Sequence, residues 1–478
     1  LATIYFVSFV TFFQDMPMLN RQEIAFLFLV SGLVVLFSPS LALRTRRVTF
    51  CVMVVGMVLA HYSTTYLAIG LLGIAWSARM ALTPLQRVLA RRRPNIGERF
   101  PVLAPGQQHA IGLGVVAFAV AASFLWSGPI THTGSGLART ATAALNGLSG
   151  ESDVSRSLDT NYSIVSSSRQ SPEQLLATYD RVSLARTEAA RAAGTYYSRD
   201  TLDRYPSPAV RPAQLPLTPA GRFLSRVGVN VASLNYTLRQ GSARLLQVLI
   251  IIGLLAVVVS RRRLVTAPAE FVCLAGSALV IIVLQILVPV LSVDYGLLRS
   301  FQQALMVLSV FLVAGSMALF PRRLGRWRVG GATAIGLAFF VSSTGVITQS
   351  IGGYGPQLHL NNAGKYYDIY YLHAQEVAGF YWLESTARPA AGAVQTEIQM
   401  DRYTFNRSTS VTPLNASDEL YPALLRRNAY VFLGSTNIRA SQSTISFGGS
   451  QLTYHLPLDL LDDNKDLIYS NGGARVYR

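Results

Sequence analysis

The chain has 478 residues, of which 51% are hydrophobic and only 14% charged, with a mean hydropathy of +0.35. A water-soluble domain carries about 25% charged residues, so an ordinary soluble enzyme is disfavoured and bilayer-spanning helices are expected. The net charge of +17 does not mark a nucleic-acid binder: lysine occurs only at Lys365 and Lys465, and the 39 arginines fall largely in short groups beside apolar runs, a topology signal.

The first apolar run, Leu1 to Phe13, is too short to cross a membrane alone and opens without Met, which predicts an N-terminally truncated chain. A polar segment from Gln14 to Glu23 leads to a second run, Ile24 to Ser38, followed by Arg44, Arg46 and Arg47. The run from Val48 to Ala78 is long enough for two short helices and is interrupted at His61, Tyr62, Ser63, Thr64 and Thr65. Arg79, Arg87, Arg91, Arg92, Arg93 and Arg99 follow it, so placing both arginine groups in the cytoplasm puts the histidine turn on the outer side. Further crossings are expected at Ala110 to Ser127, Leu245 to Ser260, Phe271 to Ser292, Ala304 to Phe320 and Val329 to Thr348.

The short loops assigned to the cytoplasm hold sixteen arginines, and the short exterior loops hold two, Arg21 and Arg299. That bias fixes the expected orientation. It predicts an α-helical polytopic protein of the plasma membrane with about nine spans, the first truncated, and a C-terminal extracytoplasmic α/β domain. The expected divisions are spans over 1–128, an exterior insertion over 129–243, spans over 244–349 and the α/β domain over 350–478. Asn161, Asn235, Asn406 and Asn415 head Asn-x-Ser/Thr sites, all on the expected exterior.

Within the insertion a helix is expected from a Ser171 cap and Pro172 to about Ala193, followed by a proline-rich stretch; the segment as a whole reads as a partly extended lid or spacer. The C-terminal part predicts a helix from about Asp368 to Thr386. It also predicts strands at Ala393 to Ile398, Ala429 to Gly434 and Leu452 to Leu456, and a hairpin about Asn471-Gly472. Cys51 and Cys273 lie in apolar runs and offer neither a disulfide framework nor a metal site to the aqueous parts.

No phosphate loop, zinc-binding helix or nucleophile elbow occurs, so any chemistry falls to polar groups at the outer membrane face. Three constellations are candidates. In the first, Asp15 or Glu23 is a base toward an acceptor hydroxyl and Arg21 holds a phosphate; the alternative is an ion pair closing a turn. The second is His61 with Tyr62, either donating to a phosphate or sugar hydroxyl or simply hydrogen-bonded between helices. In the third, Asp294 and Tyr295 precede Arg299 in a loop between spans; Arg299 suits an anionic lipid headgroup, and an Asp294 to Arg299 pair capping the next helix is the alternative.

The segments Met16 to Ala25, His61 to Tyr66 and Asp294 to Gln303 resemble patterns of a prokaryotic membrane-protein family catalogued as domain of unknown function 2206. So do Tyr366 to Tyr371 with Glu376-Val377 and Trp382-Leu383, and the ending Ile468 to Tyr477. The likeness covers most of the chain outside 129–243. In architecture that family resembles the GT-C glycosyltransferases, which implies sugar transfer from a polyprenyl-phosphate carrier to a glycan or protein acceptor on the non-cytoplasmic side. The resemblance also implies acidic residues in early exterior loops, a part of the pattern this sequence begins after, leaving Asp15 and Glu23 as substitutes. Arg299 and His61 then read as carrier-binding groups, and any divalent metal has no assignable ligands. The rival expectation is a non-catalytic anchored assembly or surface-presentation protein, with a transporter third.

Overall fold

A computed structural model describes residues 1–14, 16, 19–92, 109–132, 171–211, 214–259, 267–288, 296–355, 371–387, 397–412, 414–447 and 450–478. The chain forms two compact units, one from 1–166 with 217–352 and the other from 167–216 with 353–478.

The first unit is helical because its sequence is. Long runs of Leu, Val, Ile, Ala and Phe favour the one backbone form that satisfies every N–H and C=O within its own segment. Helices Ala2–Ser8 and Val10–Gln14 are short. Asn20–Leu36, Leu43–Ala60, Tyr62–Arg92 and Leu113–Leu125 follow, the last extended by a π turn over Trp126–Ile130. After the insertion come Pro219–Arg226, Val231–Val259, Ala269–Leu287, Leu297–Ala318, Trp327–Ser343 and Val346–Ile351. Among the described residues, five segments are long and apolar enough to cross a membrane: Tyr62–Val88, Leu113–Ile130, Val231–Val259, Ala269–Leu287 and Leu297–Ala318.

Leu297–Ala318 is the central helix, with 14 of its 22 residues buried, Leu305, Leu308, Phe311 and Leu312 completely. It meets Val231–Val259 at two glycines. An ideal Cβ on Gly253 would lie 1.7 Å from the Phe311 carbonyl oxygen, and one on Gly315 would lie 2.0 Å from that of Leu249. Backbone touches backbone there, as small residues allow between membrane helices. The peripheral helices turn large apolar side chains outward: Leu27, Val34, Phe124 and Leu287 are each at least 66% exposed. Such a surface suits hydrocarbon rather than water.

The elements run further than the apolar runs alone indicate. Arg44, Arg46 and Arg47 lie inside Leu43–Ala60, and the span expected from Leu245 begins at Val231. The break expected inside Val48 to Ala78 falls at His61, whose extended backbone (φ −157°, ψ 110°) separates two helices.

The second unit is α/β. Five strands pair in the order β2 (Ala416–Ser417), β1 (Ile398–Gln399), β3 (Tyr430–Leu433), β7 (Arg475–Tyr477), β6 (Leu467–Ser470). β1 runs parallel to β2 and β3, while β7 is antiparallel to β3 and β6. A separate antiparallel ribbon joins β4 (Gln442–Phe447) to β5 (Ser450–His455). Helix Ala374–Thr386 lies on the sheet, stacking Phe380 on Phe432 at 4.6 Å between ring centroids. It starts six residues later than expected, with His373 as its cap; Asp368, Ile369 and residues 393–396 of the first expected strand lie outside the described residues. The Asn471-Gly472 hairpin forms between β6 and β7, with Gly472 at φ +82° where a side chain would be strained.

Residues 171–211 belong to this unit. Ser171 caps helix Pro172–Ala192 in a reciprocal capping box with Gln174. The helix buries Leu175 and Leu176 and sets Tyr179 edge-on to Tyr421 and Phe447 at 5.1 and 5.2 Å. Short bridges from Tyr196 to Arg426 and from Ala209 to Tyr454 tie the rest of the stretch down.

Candidate functional site

A bundle interior built from Leu and Val tolerates polar side chains only where other polar groups meet them. In the first unit they gather at one end: where Asn20–Leu36, Tyr62–Arg92 and Leu297–Ala318 begin and Ala269–Leu287 finishes. Thr64, Thr65, Gln285, Ser300, Gln302 and Gln303 are all buried there.

The His61 turn organises this end. His61 Nδ1 accepts the Thr64 backbone N–H at 3.2 Å and lies 2.9 Å from Thr64 Oγ1, while Thr65 Oγ1 donates to the His61 carbonyl at 3.0 Å. An Nδ1 that accepts a backbone N–H leaves the ring proton on Nε2. Burial, and then the positive charges of Arg21 and Arg299, push the imidazole down to about 4, so it is neutral at physiological pH. Tyr62 stacks on it at 5.7 Å, and Tyr66 follows Tyr62 at 6.0 Å.

Arg21, His61 and Arg299 therefore share one electrostatic site, although 278 positions of sequence separate the arginines. Neither arginine is in a loop, a correction to the sequence reading. Arg21 and Glu23 lie in the first turn of Asn20–Leu36, and Arg299 is the third residue of Leu297–Ala318. The apolar-run reading ended each span at its first polar residue, whereas the helices continue through them. Arg21, Glu23 and Tyr62 are exposed, and Arg299 is half-buried. Asp15, Asp294 and Tyr295 lie outside the described residues.

Three glutamines fasten the helices around this turn. Gln303 donates its amide to the Thr64 carbonyl at 3.0 Å, Gln302 to the Phe6 carbonyl at 3.1 Å, and Gln285 to Ser300 Oγ at 2.8 Å. Among the described residues, the Oε1 atoms of Gln285 and Gln302 and the hydroxyls of Thr11 and Tyr66 are buried without a hydrogen-bond partner. The glutamines carried no functional signal in the sequence beyond being polar residues inside apolar runs.

An apolar cleft of about 310 Å³ borders the same end. Phe9, Ile250, Ile286, Leu298 and Phe301 line it, and Arg239, Gln247 and Ser343 supply its polar groups. Leu298 and Phe301 flank Arg299 along their helix, and Ile286 follows Gln285. The cleft and the His61 turn thus lie at the same end of the bundle, although Arg21, His61 and Arg299 are not among the residues that line the cleft. Among the described residues no three His, Cys, Asp or Glu side chains converge to hold a metal.

No curated protein and no solved structure matches the chain. A family model described as "Predicted membrane protein (DUF2206)" matches residues 225–477. The match includes Arg299, the three glutamines and the Asn471-Gly472 hairpin, and begins after Arg21 and His61. It spans more than half of the sequence, and the chain accordingly belongs to the DUF2206 family of predicted membrane proteins.

Proposed function

We propose that the chain is a lipid-linked sugar transferase of the GT-C type, taking its sugar from a polyprenyl-phosphate carrier at the extracytoplasmic face of the plasma membrane. The observation that carries this reading is that the charges of Arg21 and Arg299 both act on His61 at the end of the bundle that the apolar cleft borders. A polyprenyl chain cannot leave the bilayer, so its phosphate has to be met by cations at the membrane face and its first isoprene units by an apolar slot.

The topology in this proposal has nine spans. Three more helices, Asn20–Leu36, Leu43–Ala60 and Trp327–Ser343, have 17, 18 and 17 residues. At about 1.5 Å per residue such helices rise roughly 26 Å, close to the hydrocarbon thickness. Ala2–Ser8 and Val10–Gln14 form the partial first span. With the arginine-rich turns in the cytoplasm, the polar end faces outward, and so does the second unit.

In the proposed reaction a carboxylate, Asp15 or Glu23 being the candidates in this chain, takes the proton of an acceptor hydroxyl. The acceptor oxygen attacks the anomeric carbon with inversion, and the carrier phosphate leaves with the bonding electrons. Arg299 and Arg21 hold its oxygens. His61 donates through Nε2 to the phosphate or to a sugar hydroxyl, and Tyr62 lends the imidazole a stacking face. The second unit recognises the acceptor glycan or protein. The compactness of that unit also supports the rival reading, an anchored assembly or surface-presentation protein that works by binding alone.

The test is Arg299→Ala in the full chain, reconstituted in bilayers containing polyprenyl phosphate. A charge-assisted hydrogen bond contributes about 1.5–3 kcal/mol, so carrier binding and transfer from a labelled polyprenyl-phosphate sugar should fall by roughly tenfold or more. Unchanged binding and transfer remove the role given to Arg299. Carrier binding without transfer to any acceptor supports the rival.

A further inference from the structure

A second amphiphilic feature lies at the far end of the helix that leads to His61. Arg47 and His61 are 14 residues apart, about 21 Å along a helix. Between helices Leu43–Ala60 and Leu113–Leu125 runs a groove of about 400 Å³, walled by Val48, Val52, Val55, Val115 and Phe118, with Arg47 among its lining residues.

Arg47 is held ready. Its Nε donates to the Ala110 carbonyl at 3.2 Å and a terminal nitrogen to the His109 carbonyl at 2.5 Å. The same short loop is pinned from its other side, because the Glu270 carboxylate accepts the N–H groups of Ala110 at 2.5 Å and Ile111 at 3.4 Å. A Cβ on Gly112 would come within 3.1 Å of the guanidinium carbon, so Arg47 lies close over the backbone of this loop. Carbonyls occupy part of the five-donor guanidinium and do not neutralise it.

The surroundings are positive as well. Burial, and then the charges of Arg79, Arg47 and Arg87, push the His109 imidazole below its ordinary value, and Glu270 is a single carboxylate that meets the charges of both Arg79 and Arg47. A membrane-facing groove lined by valines and crowned by a fixed cation complements an acyl chain carrying an anionic head.

We infer that the groove between Leu43–Ala60 and Leu113–Leu125 is a binding site for an anionic phospholipid, its phosphate on Arg47 and one acyl chain along Val48, Val52, Val55 and Phe118. This site is independent of the carrier site and does not rest on the sugar-transferase reading. On the arginine-in topology it takes a lipid of the cytoplasmic leaflet, where basic side chains attract anionic headgroups.

The test uses the full chain in phosphatidylcholine vesicles doped with spin-labelled phosphatidylglycerol or spin-labelled phosphatidylcholine, reading the fraction of immobilised label. One well-placed arginine near the membrane surface predicts a preference of roughly fivefold for phosphatidylglycerol. Arg47→Gln should abolish the preference. Gly114→Leu keeps Arg47 and fills the groove, since a Cβ at Gly114 meets nothing within 4 Å. It should displace both probes and shrink the preference, and it decides the matter if Arg47→Gln does not fold. Equal immobilisation of the two lipids by the unsubstituted chain, or a preference that Gly114→Leu leaves undiminished, overturns the inference.

Discussion

The side-chain amide of Gln303 reaches the main-chain carbonyl of Thr64 at 3.0 Å, with both residues buried. This bond fastens the His61 turn to the helix that carries Arg299, one helical turn before Gln303. Gln303→Leu keeps the bulk and removes the donor. Interhelical hydrogen bonds in membrane proteins contribute about 0.6–1.7 kcal/mol, so the variant should unfold at a slightly lower temperature in detergent. Polyprenyl-phosphate binding should weaken more than that small loss explains. An unchanged affinity would separate the glutamine from the site.

His61 gives the first unit a definite pH response. Its folded value of about 4 lies below the unfolded value near 6.5. Between those two values the unfolded chain binds more protons than the folded one, so stability rises with pH across that window. The stabilisation is complete above about pH 6.5 and lost as pH falls toward 4, by roughly 1–3 kcal/mol once solvent screening is allowed for. Thermal unfolding of the native chain and of His61→Gln at pH 7 and pH 4.5 checks this. The native chain should lose more on acidification, and equal losses would mean the imidazole is not desolvated in the folded protein.

Local signals were legible in the sequence and long-range ones were not. Ser171-Pro172 announced a helix start, Asn471-Gly472 a hairpin, and His61 to Thr65 a break between spans, because in each case the neighbours along the chain decide the conformation. Helix starts hidden by polar residues were missed. The stretch before Leu245 reads as the end of a polar exterior insertion, yet its Asn235 and Gln240 are buried, and Asn235 is hydrogen-bonded to Thr348 Oγ1. The docking of residues 171–211 depends on Tyr179 meeting Tyr421, a contact no periodicity encodes. The same holds for Arg47, His109 and Glu270, whose bonds close loops of 62 and 160 residues.

Gly253 and Gly315 bring the backbones of Val231–Val259 and Leu297–Ala318 into direct contact. Alanine at either position places a methyl group inside van der Waals contact with a carbonyl of the opposite helix, and no rotamer relieves a clash at Cβ. Overpacking typically costs about 1–3 kcal/mol and more where backbone must move. Gly253→Ala and Gly315→Ala should therefore lower the unfolding temperature strongly. Gly73→Ala is the control, because a Cβ there meets nothing within 4 Å. Equal stability of the three variants would mean that the two helices stand further apart.

In the second unit, Arg407 grips Glu376 at 2.7 and 3.1 Å, and the Ser435 N–H donates to the same carboxylate at 2.8 Å. Both charged side chains are buried, at 6% and 0% exposure. Breaking one partner of such a pair costs about 3–5 kcal/mol, because the other is left charged in a low-dielectric core. Glu376→Gln should make the second unit sensitive to limited proteolysis in the full chain. Replacing both residues by leucine should restore much of the resistance; a double variant worse than the single one would mean the pair is irreplaceable for packing rather than for charge.

The four Asn-x-Ser/Thr sites turn sidedness into a measurement. Asn235 is 5% exposed, and its amide donates to the carbonyls of Val231 and Gly352 at 3.0 Å each, so a folded chain cannot offer it to a glycan-transferring enzyme. Asn406 and Asn415 are exposed. Expressed in a host that glycosylates such sites in the secretory pathway, the chain should gain glycans at Asn406 or Asn415 and none at Asn235. Replacing both exposed asparagines by glutamine should remove that mass shift. Since the modifying enzyme works only on the non-cytoplasmic side, glycans at Asn406 or Asn415 place the second unit there. Glycans at Asn235 would contradict its packing, and an unmodified second unit whose tail is labelled only after the cytoplasmic face is opened would invert the arginine-based topology.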